Sequence, residues 1–314
     1  MKILITGGAG YIGTILTEQL LQHKEVEKVY VLDNLMYKQE GSFCFCANPK
    51  YEFIYGDVRD NKILSLLLRK VDVTLPLAAL VGFPACDRDP RTAKEVNFDH
   101  VDFIAKHSRG HVIYPNSNSG YGMSDGQEYC TEDTPLNPIS VYGKTKCRAE
   151  KSILDNGQTS LRLATVFGTS YRFRKDLLVN DFTLKAVQDG YIVLFESHYK
   201  RNFIHIRDVV KALIYMIEYE KHNFEACGEP YNVGLSDANL SKLQLCQLIK
   251  NHIPDFDIKT SDFNYDPDKR NYIVSNAKLE ATGWIPEYSL DDGIIELIKA
   301  YKILINTDTS FTNL

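Results

Sequence analysis

Tyr142 and Lys146 stand four residues apart in the run Ser140-Val-Tyr-Gly-Lys-Thr-Lys146. Four is a helical interval, so on a helix the two side chains share a face, one turn apart. An ammonium beside a phenol favours the phenolate, which predicts a Tyr142 pKa drawn down from about 10 towards neutrality. Such a phenol can take or return a hydroxyl proton while hydride moves at the same carbon. Alone, a Tyr-x-x-x-Lys spacing is common. It gains weight from a second motif near the start of the chain, Thr6-Gly-Gly-Ala-Gly-Tyr-Ile-Gly13.

That second motif predicts a dinucleotide site. Lys2 to Thr6 is a short apolar run of the kind that forms a buried parallel strand, and Ile12 to Leu21 shows helical spacing of apolar residues. A glycine turn between the two offers backbone N–H groups and the positive end of a helix dipole to a pyrophosphate. Gly7 is expected to make the turn, Gly10 to admit the pyrophosphate and Gly13 to let the helix pack on the strand, with Tyr11 and Ile12 between them. The first two glycines are one residue further apart than in the dehydrogenase fingerprint. A second apolar run, Val29 to Asp33, ends in an acid twenty positions after Gly13. A carboxylate there accepts from ribose hydroxyls and repels a 2′-phosphate. NAD is therefore favoured over NADP, which nearby Lys38 keeps open.

These residues need a scaffold to position them. A chain of 314 residues is long enough for one large α/β unit and a smaller lobe. Further strand signals lie at Tyr51 to Asp57, Val71 to Ala79, His111 to Pro115 and Ser160 to Thr165, with helical patterns at Lys62 to Arg69 and Ala93 to Ser108. This alternation predicts a Rossmann-type, doubly wound parallel α/β sheet, with the loops after the fourth and fifth strands lining the site. From Thr169 to Arg201 arginines, aromatics and polar loops dominate. A helix at Arg207 to Tyr219 and a strand at Tyr231 to Gly234 then read as a return to the main sheet. Helices at Lys242 to His252 and Leu290 to Ile305 follow, and Asn306 to Leu314 reads as a frayed tail. The expected division is a dinucleotide-binding domain over 1–168 plus 202–235, and a smaller mixed α/β substrate-binding lobe over 169–201 plus 236–314.

Composition narrows the partners. A net charge of −5 and a pI near 5.9 give no basic stripe for nucleic acid. No apolar run is long enough to span a bilayer, and a strand starting at residue 2 leaves no room for a signal peptide, so a cytoplasmic setting is expected. Seven cysteines, at 44, 46, 86, 130, 147, 227 and 246, are odd in number and scattered, which argues for free thiols; no CxxC pair suggests zinc. Cys44 and Cys46 are close enough to share a metal, although a coincidence of loop composition is the simpler reading, and no metal is expected at the active site.

In combination, the glycine motif, Gly56-Asp-Val58, Leu77-Ala-Ala-Leu80, Asn116-Ser-Asn-Ser-Gly-Tyr-Gly122 and Tyr142-Gly-Lys-Thr-Lys146 resemble the extended short-chain dehydrogenase/reductase family. Arg201-Asn-Phe-Ile-His-Ile-Arg-Asp208 and Tyr231-Asn-Val-Gly234 match its later signatures, so the resemblance covers essentially the whole chain. It implies an NAD-dependent enzyme of nucleotide sugars: an epimerase, dehydratase or reductase. By that resemblance Ser117, four before Tyr121, hydrogen-bonds the reacting hydroxyl together with Tyr142, and Lys146 also reaches the nicotinamide ribose. Asp57 and Val58 match the positions that hold the adenine. Ala78 and Ala79, with Leu77, line the nicotinamide half, and Asn34 joins Asp33 on the cofactor side. Asn97 matches an Asn on the helix behind the active site, or else is a plain helix-interior contact. On the substrate side stand Val81, Ser117, Asn118 and Ser119. Asn180 resembles a pyrophosphate-binding Asn, and Arg201 and Arg270 resemble diphosphate-binding arginines, whose forked guanidinium suits a phosphate; Arg172 and Arg174 are weaker matches. The resemblance also implies a homodimer through a four-helix interface that includes the helix of Tyr142, with Ala149, Ile153 and Leu154 available to it.

Two departures from the family narrow the reaction. The 4,6-dehydratases carry an Asp-Glu pair directly after the Ser/Thr, where this chain has Asn118 and Ser119, and neither can do acid–base work near neutral pH. The epimerase-reductases of fucose-type sugars carry a Cys two after the Ser and a later His; here stand Ser119 and, around Thr169 and Ser170, no histidine. Hydride chemistry at one carbon, most simply C4, is left, as net oxidation or as 4-epimerisation. The loop Leu77 to Pro90, with Asn34-Leu-Met36, looks most like bacterial GDP-heptose oxidoreductases of capsule pathways. A non-catalytic NAD-sensing protein is the remote alternative. Cys86 lies in this loop and reads as a packed thiol before a sugar contact.

Overall fold

The computed structural model describes residues 1–124, 128–223, 226–261, 263 and 270–305; the tail expected to fray lies outside them. The early apolar runs form strands β1 (Lys2–Thr6), β2 (Lys28–Asp33), β3 (Tyr51–Tyr55), β4 (Val73–Pro76) and β5 (His111–Ser117). Later in the chain come β6 (Tyr129–Cys130), β7 (Thr159–Leu163), β8 (Thr165–Phe167), β9 (Tyr191–Leu194), β10 (Lys200–His205) and β11 (Pro230–Val233). The last are β12 (Asn239–Ser241), β13 (Asp257–Thr260) and β14 (Ile273–Val274). Seven of them form one all-parallel sheet in the order β11-β7-β5-β4-β1-β2-β3. The order reverses between β1 and β4, where a crevice opens beyond the carboxyl ends of the strands.

Both faces of this sheet are covered, which is why its strands read as continuous apolar runs. Ile3 and Ile5 of β1 pack on one side with Ile15, Leu16 and Leu20 of the helix Tyr11–Gln22 and with Val209, Leu213 and Met216 of the helix Ile206–His222. Leu4, between them, points to the other face with Leu64, Leu68, Ile104 and Ile153. A second core joins Phe167, Val179, Phe182, Phe203, Leu245, Ile249, Ile294, Leu297 and Tyr301. There the helices Leu178–Gln188, Lys242–His252 and Leu290–Ile305 pack beside a β12-β10-β8 sheet and a β13-β9 pair.

Several local expectations change. The strand expected over Ser160 to Thr165 breaks at Ala164, so that Thr159–Leu163 stays in the main sheet while Thr165–Phe167 pairs with β10. The stretch from Thr169 to Arg201 holds a helix, Leu178–Gln188, whose buried Val179, Phe182 and Ala186 fall at helical spacing, and strand β9. The long loop after β4 folds in part into a helix, Phe83–Arg88. The helix expected from Ala93 starts earlier, at Pro90, where the Asp89 side chain accepts from Thr92 N at 3.0 Å, and passes through a π-helical turn at Glu95–Asp99 before continuing to His107. All seven cysteines are free. Among the described residues no helix is long and apolar enough to cross a membrane.

Candidate active site

β1 ends at Thr6, and Gly7 turns the chain with φ +70°; a Cβ there would lie 2.6 Å from the Ala78 backbone, so only glycine fits. A Cβ on Gly13 would meet Gly8 Cα at 2.6 Å. Gly13 therefore packs the helix onto the glycine turn itself, rather than onto the strand as expected. Gly10 caps the helix Tyr11–Gln22 with no side chain to satisfy its first N–H groups and no acid in its first turn. A Cβ on Gly10 would touch a single nearby protein atom, Gly7 O at 3.0 Å, and Gly10 lines a cavity with Gly7, Tyr11, Ile12 and Gly13. These features fit an anion held on a helix start.

The same cavity collects Asp33, Asn34, Asp57, Val58, Leu77, Ala78, Ala79 and Val81. Asp33 accepts from Ala9 N (3.0 Å), Leu35 N (2.8 Å) and Gln39 Nε2 (3.2 Å). Burial pushes its carboxyl up and those bonds hold it back, so an oriented, hydrogen-bonded carboxylate faces the place where a ribose would lie. Asp57 is gripped by Arg59 at 2.9 and 2.8 Å and receives Asn34 Nδ2 at 3.2 Å, and the Arg59 contact chiefly holds its pKa down at about 2. The donor and acceptor types of this set suit the pyrophosphate and ribose of a dinucleotide.

The helix Val141–Asp155 starts at Ser140, whose Oγ accepts from Gly143 N at 3.0 Å. It carries Tyr142 and Lys146 to a second cavity, of about 690 Å³, which Ser117 also lines. That volume lies inside the range of roughly 300–1,000 Å³ usual for ligand sites. The expected electrostatics are overturned here. Burial pushes the Tyr142 phenol up to about 12, against the pull of Arg174 and Arg270. Burial pushes Lys146 down to about 7, against the charge of Glu150. Lys146 Nζ donates to Pro115 O at 2.7 Å and sits 4.0 Å from the centre of the Tyr114 ring. An ammonium desolvated this far loses its hold on the phenol, and the arginines supply the positive field instead. Ser117 Oγ accepts from Ser119 N at 3.2 Å, which leaves its O–H free to donate into the cavity.

On the substrate side the cavity brings Val81, Arg201 and Arg270 together with Tyr272 and Lys242. Arg201 Nη1 donates to Lys200 O at 2.8 Å, and its guanidinium lies 5.5 Å from the Tyr272 ring. Asn118 and Ser119 do not reach this wall: a 3₁₀ turn, Asn118–Tyr121, turns them inward, and both are buried. Asn180 is fully buried as well. Its side chain accepts from Gly168 N (3.1 Å) and donates to Gly168 O (3.3 Å) and Arg174 O (2.8 Å), so it pins the loop ahead of it rather than presenting donors to a phosphate. Asn97 takes the positioning role left open for it: it accepts from Leu80 N (2.7 Å) and donates to Leu80 O (2.9 Å) and Thr145 Oγ1 (3.4 Å), tying the loop after β4 to the helix of Tyr142. Cys86 is a packed thiol whose Sγ donates to Leu80 O at 3.2 Å.

Sequence reasoning undervalued Arg174 and Arg172. Arg174 lines both cavities, pairs with Asp176, and exerts the largest positive influence on Tyr142. Arg172 lies 4.5 Å from the Tyr37 ring at the cofactor end, where Lys38 had been the expected base. No periodicity marks either residue, because both sit in a loop. Two carboxylates in the substrate cavity were not foreseen, and each is paired: Asp176 with Arg174, and Asp181 with Lys185 at 2.6 Å.

The geometry has counterparts. The sequence model of the NAD dependent epimerase/dehydratase family matches residues 3–234. A UDP-glucose 4-epimerase of Lactobacillus helveticus is 26% identical, with 96% of this chain and 97% of the relative covered. The low-salt glycan biosynthesis protein Agl12 of Haloferax volcanii is also 26% identical, over 96% of this chain and 98% of its own length. A UDP-glucuronic acid 4-epimerase from Bacillus cereus, solved in complex with UDP-glucuronic acid and NAD, superposes with a TM-score of 0.84 at 25% identity, covering 97% of this chain and all of the other (100%).

Proposed function

This chain belongs to the NAD dependent epimerase/dehydratase family, and we propose that within this family of NAD-dependent nucleotide-sugar enzymes it moves hydride at C4 of the sugar, with Tyr142 as its acid–base group. The observation that carries the reading is one cavity lined by Tyr142, Ser117 and Lys146 together with Arg201 and Arg270, sharing Tyr11, Ile12, Leu77, Ala79, Val81 and Arg174 with the cofactor cavity. The NAD, when bound, supplies a nicotinamide that accepts or returns a hydride. Gly7, Gly10, Tyr11, Ile12 and Gly13 would hold its pyrophosphate, and Asp33 and Asn34 its ribose. Asp57 and Val58 would hold the adenine, and Leu77, Ala78 and Ala79 the nicotinamide. Beyond its bond to Pro115 O, Lys146 keeps two N–H donors when protonated and one when neutral, and these would reach the nicotinamide ribose.

In the forward direction Tyr142, once ionised to the phenolate, would take the proton of the C4 hydroxyl while the C4 hydrogen leaves as hydride to the nicotinamide, and Ser117 would donate a hydrogen bond to the same oxygen. Arg201 and Arg270 hold the diphosphate, so that the sugar extends towards the phenol. The lobe of residues 169–201 and 236–314 is read as the nucleotide-sugar-binding part. The two carboxylates of the cavity, Asp176 and Asp181, are each ion-paired, which weakens them as bases and argues against a dehydration that relies on a carboxylate. The resemblance of the loop after β4 to that of GDP-heptose oxidoreductases favours a GDP-heptose of capsule or surface-polysaccharide synthesis as substrate, with net oxidation at C4. A second reading, 4-epimerisation through a transient keto sugar, draws on the names of the relatives and on a cavity roomy enough for a sugar to turn. Chains of this kind would pair as homodimers through the helix of Tyr142.

The deciding experiment mixes purified protein with GDP-heptose, UDP-glucose or UDP-glucuronic acid, follows the absorbance of reduced cofactor and identifies the product by NMR. Accumulating NADH with a released 4-keto sugar supports the dehydrogenase. A C4-inverted product with no net reduction supports the epimerase and overturns net oxidation. No response to any nucleotide sugar overturns both.

A further inference from the structure

At the amino-terminal edge of the main sheet, remote from the catalytic end of β5, three chemically unlike side chains converge. His111 is the first residue of β5, Glu220 lies in the last turn of the helix Ile206–His222, and Cys227 stands in the turn before β11. One ligand atom from each lies within 4.8 Å of the others, and among the described residues no other group of this kind occurs. Ser117, at the far end of β5, is six residues away along the strand, or about 20 Å.

The carboxylate is the informative member. Glu220 is 2% exposed, its Oε1 has no hydrogen-bond partner, and its Oε2 stands 3.6 Å from His111 Nδ1, too far for a hydrogen bond. Its ion-pair partner is His111, whose imidazole pKa it pushes up, yet Oε1 stays unsatisfied, which is unfavourable for a carboxylate buried this deeply. Neighbouring lysines are engaged elsewhere: Lys221, next in the chain, pairs with Glu25, and Lys278 Nζ, over the ring of Tyr231, pairs with Glu229 at 2.9 Å and donates to Pro230 O at 2.9 Å. The carbonyl end of the helix Ile206–His222 adds negative potential at the same place.

The geometry points to a divalent-cation site of the zinc type, formed by His111, Glu220 and Cys227 with water in the fourth position. One imidazole nitrogen, one carboxylate oxygen and one thiolate form a mixed set that suits Zn²⁺, whereas Mg²⁺ and Ca²⁺ take oxygen. Ligand atoms of a tetrahedral zinc stand roughly 3.3–3.7 Å apart, given bonds of about 2.0–2.3 Å. His111 and Glu220 already have that spacing, and Cys227 Sγ lies within 4.8 Å of both. The ion would replace the thiol proton and tie the end of the helix Ile206–His222 to the edges of β5 and β11. It is a structural clamp, separate from the hydride chemistry.

The test uses the full chain, stripped with a chelator and titrated with Zn²⁺ or Co²⁺ alone. One equivalent of Zn²⁺ per chain is expected to compete with a chromophoric chelator. Co²⁺ is expected to give a thiolate charge-transfer band, and the unfolding midpoint to rise by about 3–7 °C at a hundredfold excess over Kd. Both Cys227→Ser and His111→Gln should lose the equivalent and the midpoint shift, with the band lost in Cys227→Ser; the half-exposed His111 keeps the test open should the cysteine variant fold poorly. A Cys44→Ser/Cys46→Ser double variant should keep all three. An equivalent that follows Cys44 and Cys46, or one that survives in both site variants, or no stoichiometric binding at all, overturns the proposal.

Discussion

Replacing Tyr142 by Phe tests the proposed chemistry most directly, because it removes one oxygen and little else. The phenol makes no hydrogen bond to a described residue, so Phe strands no partner and the fold should be unaffected. Nor does Tyr142 line the cofactor cavity, so the affinity for NAD should stay within about threefold of the original. The phenol pKa is pushed up to about 12. At pH 7 the cofactor-free protein thus holds a phenolate in only about one molecule in 10⁵. The phenol must therefore lose its own proton, helped by the positive nicotinamide of bound NAD, before it can accept that of the C4 hydroxyl. General acid–base assistance of this kind is worth about 10²–10⁴-fold, or roughly 3–5 kcal/mol.

Tyr142→Phe is thus expected to lower kcat by about 10²–10⁴-fold with little change in KM, read in single turnover as the reduction of bound cofactor by the accepted nucleotide sugar. The original enzyme should also gain rate as pH rises, since the group that accepts the proton is a phenol, and the variant should lose that rising limb. Retention of more than a tenth of kcat, or an unchanged rising limb in the Phe variant, would refute the assignment of the proton to Tyr142.

Three further perturbations follow from the same geometry. Asp33→Ala removes the carboxylate that accepts from Ala9 N and Leu35 N, and fluorescence titration should show NAD binding weakened by at least tenfold with the margin over NADP reduced. Asn97→Ala strands both polar groups of Leu80 in a buried place; a loss of about 2–4 kcal/mol is expected in denaturant unfolding, with weaker cofactor binding through the loosened loop after β4. Lys146→Met should abolish turnover yet stabilise the protein at pH 7. The folded pKa of Lys146, near 7, lies below its ordinary 10.5, so protonation favours the unfolded chain. That penalty is absent above pH ~10.5, grows as pH falls and is complete below pH ~7. After allowance for the lost bond to Pro115 O, the gain at pH 7 is on the order of 2 kcal/mol, and in a series of melts it should turn into a small loss before pH ~10.5, where only the missing bond counts.

The main sheet was legible because parallel strands buried on both faces leave short apolar runs, and because glycine at positions 7, 10 and 13 has few other uses after such a run. The second core was less legible. The helix Leu178–Gln188 buries Val179, Phe182 and Ala186 at helical spacing, but neighbouring arginines and aromatics hid the period. The split at Ala164 left no sign in sequence either, since Leu163 and Val166 serve two sheets from one apolar run. At the site, residue types and spacings named the side chains that reach the cavities, while the inward turn of Asn118 and Ser119 depends on a 3₁₀ turn that composition does not announce. Sequence distance also misled about charge. Four residues on a helix bring Lys146 and Tyr142 to one face, yet whether the lysine keeps its charge there depends on burial, which is a property of the whole fold.

That dependence changes how the centre works. A lysine held near neutrality, bonded to Pro115 O and stacked on Tyr114, is a poor permanent source of field but a good positioner, because its remaining N–H groups can serve a ribose whether or not it is charged. The field on the phenol comes instead from Arg174 and Arg270, which stand in the segments that shape the substrate cavity. Arg174 is also held by Asp176 and touches both cavities. A cationic nicotinamide would add to that pull, and a diphosphate held by these guanidinium groups would offset part of it. The phenol would then sense which ligands are present, and its readiness to take a proton would follow the filling of both cavities rather than the pH of the solution alone.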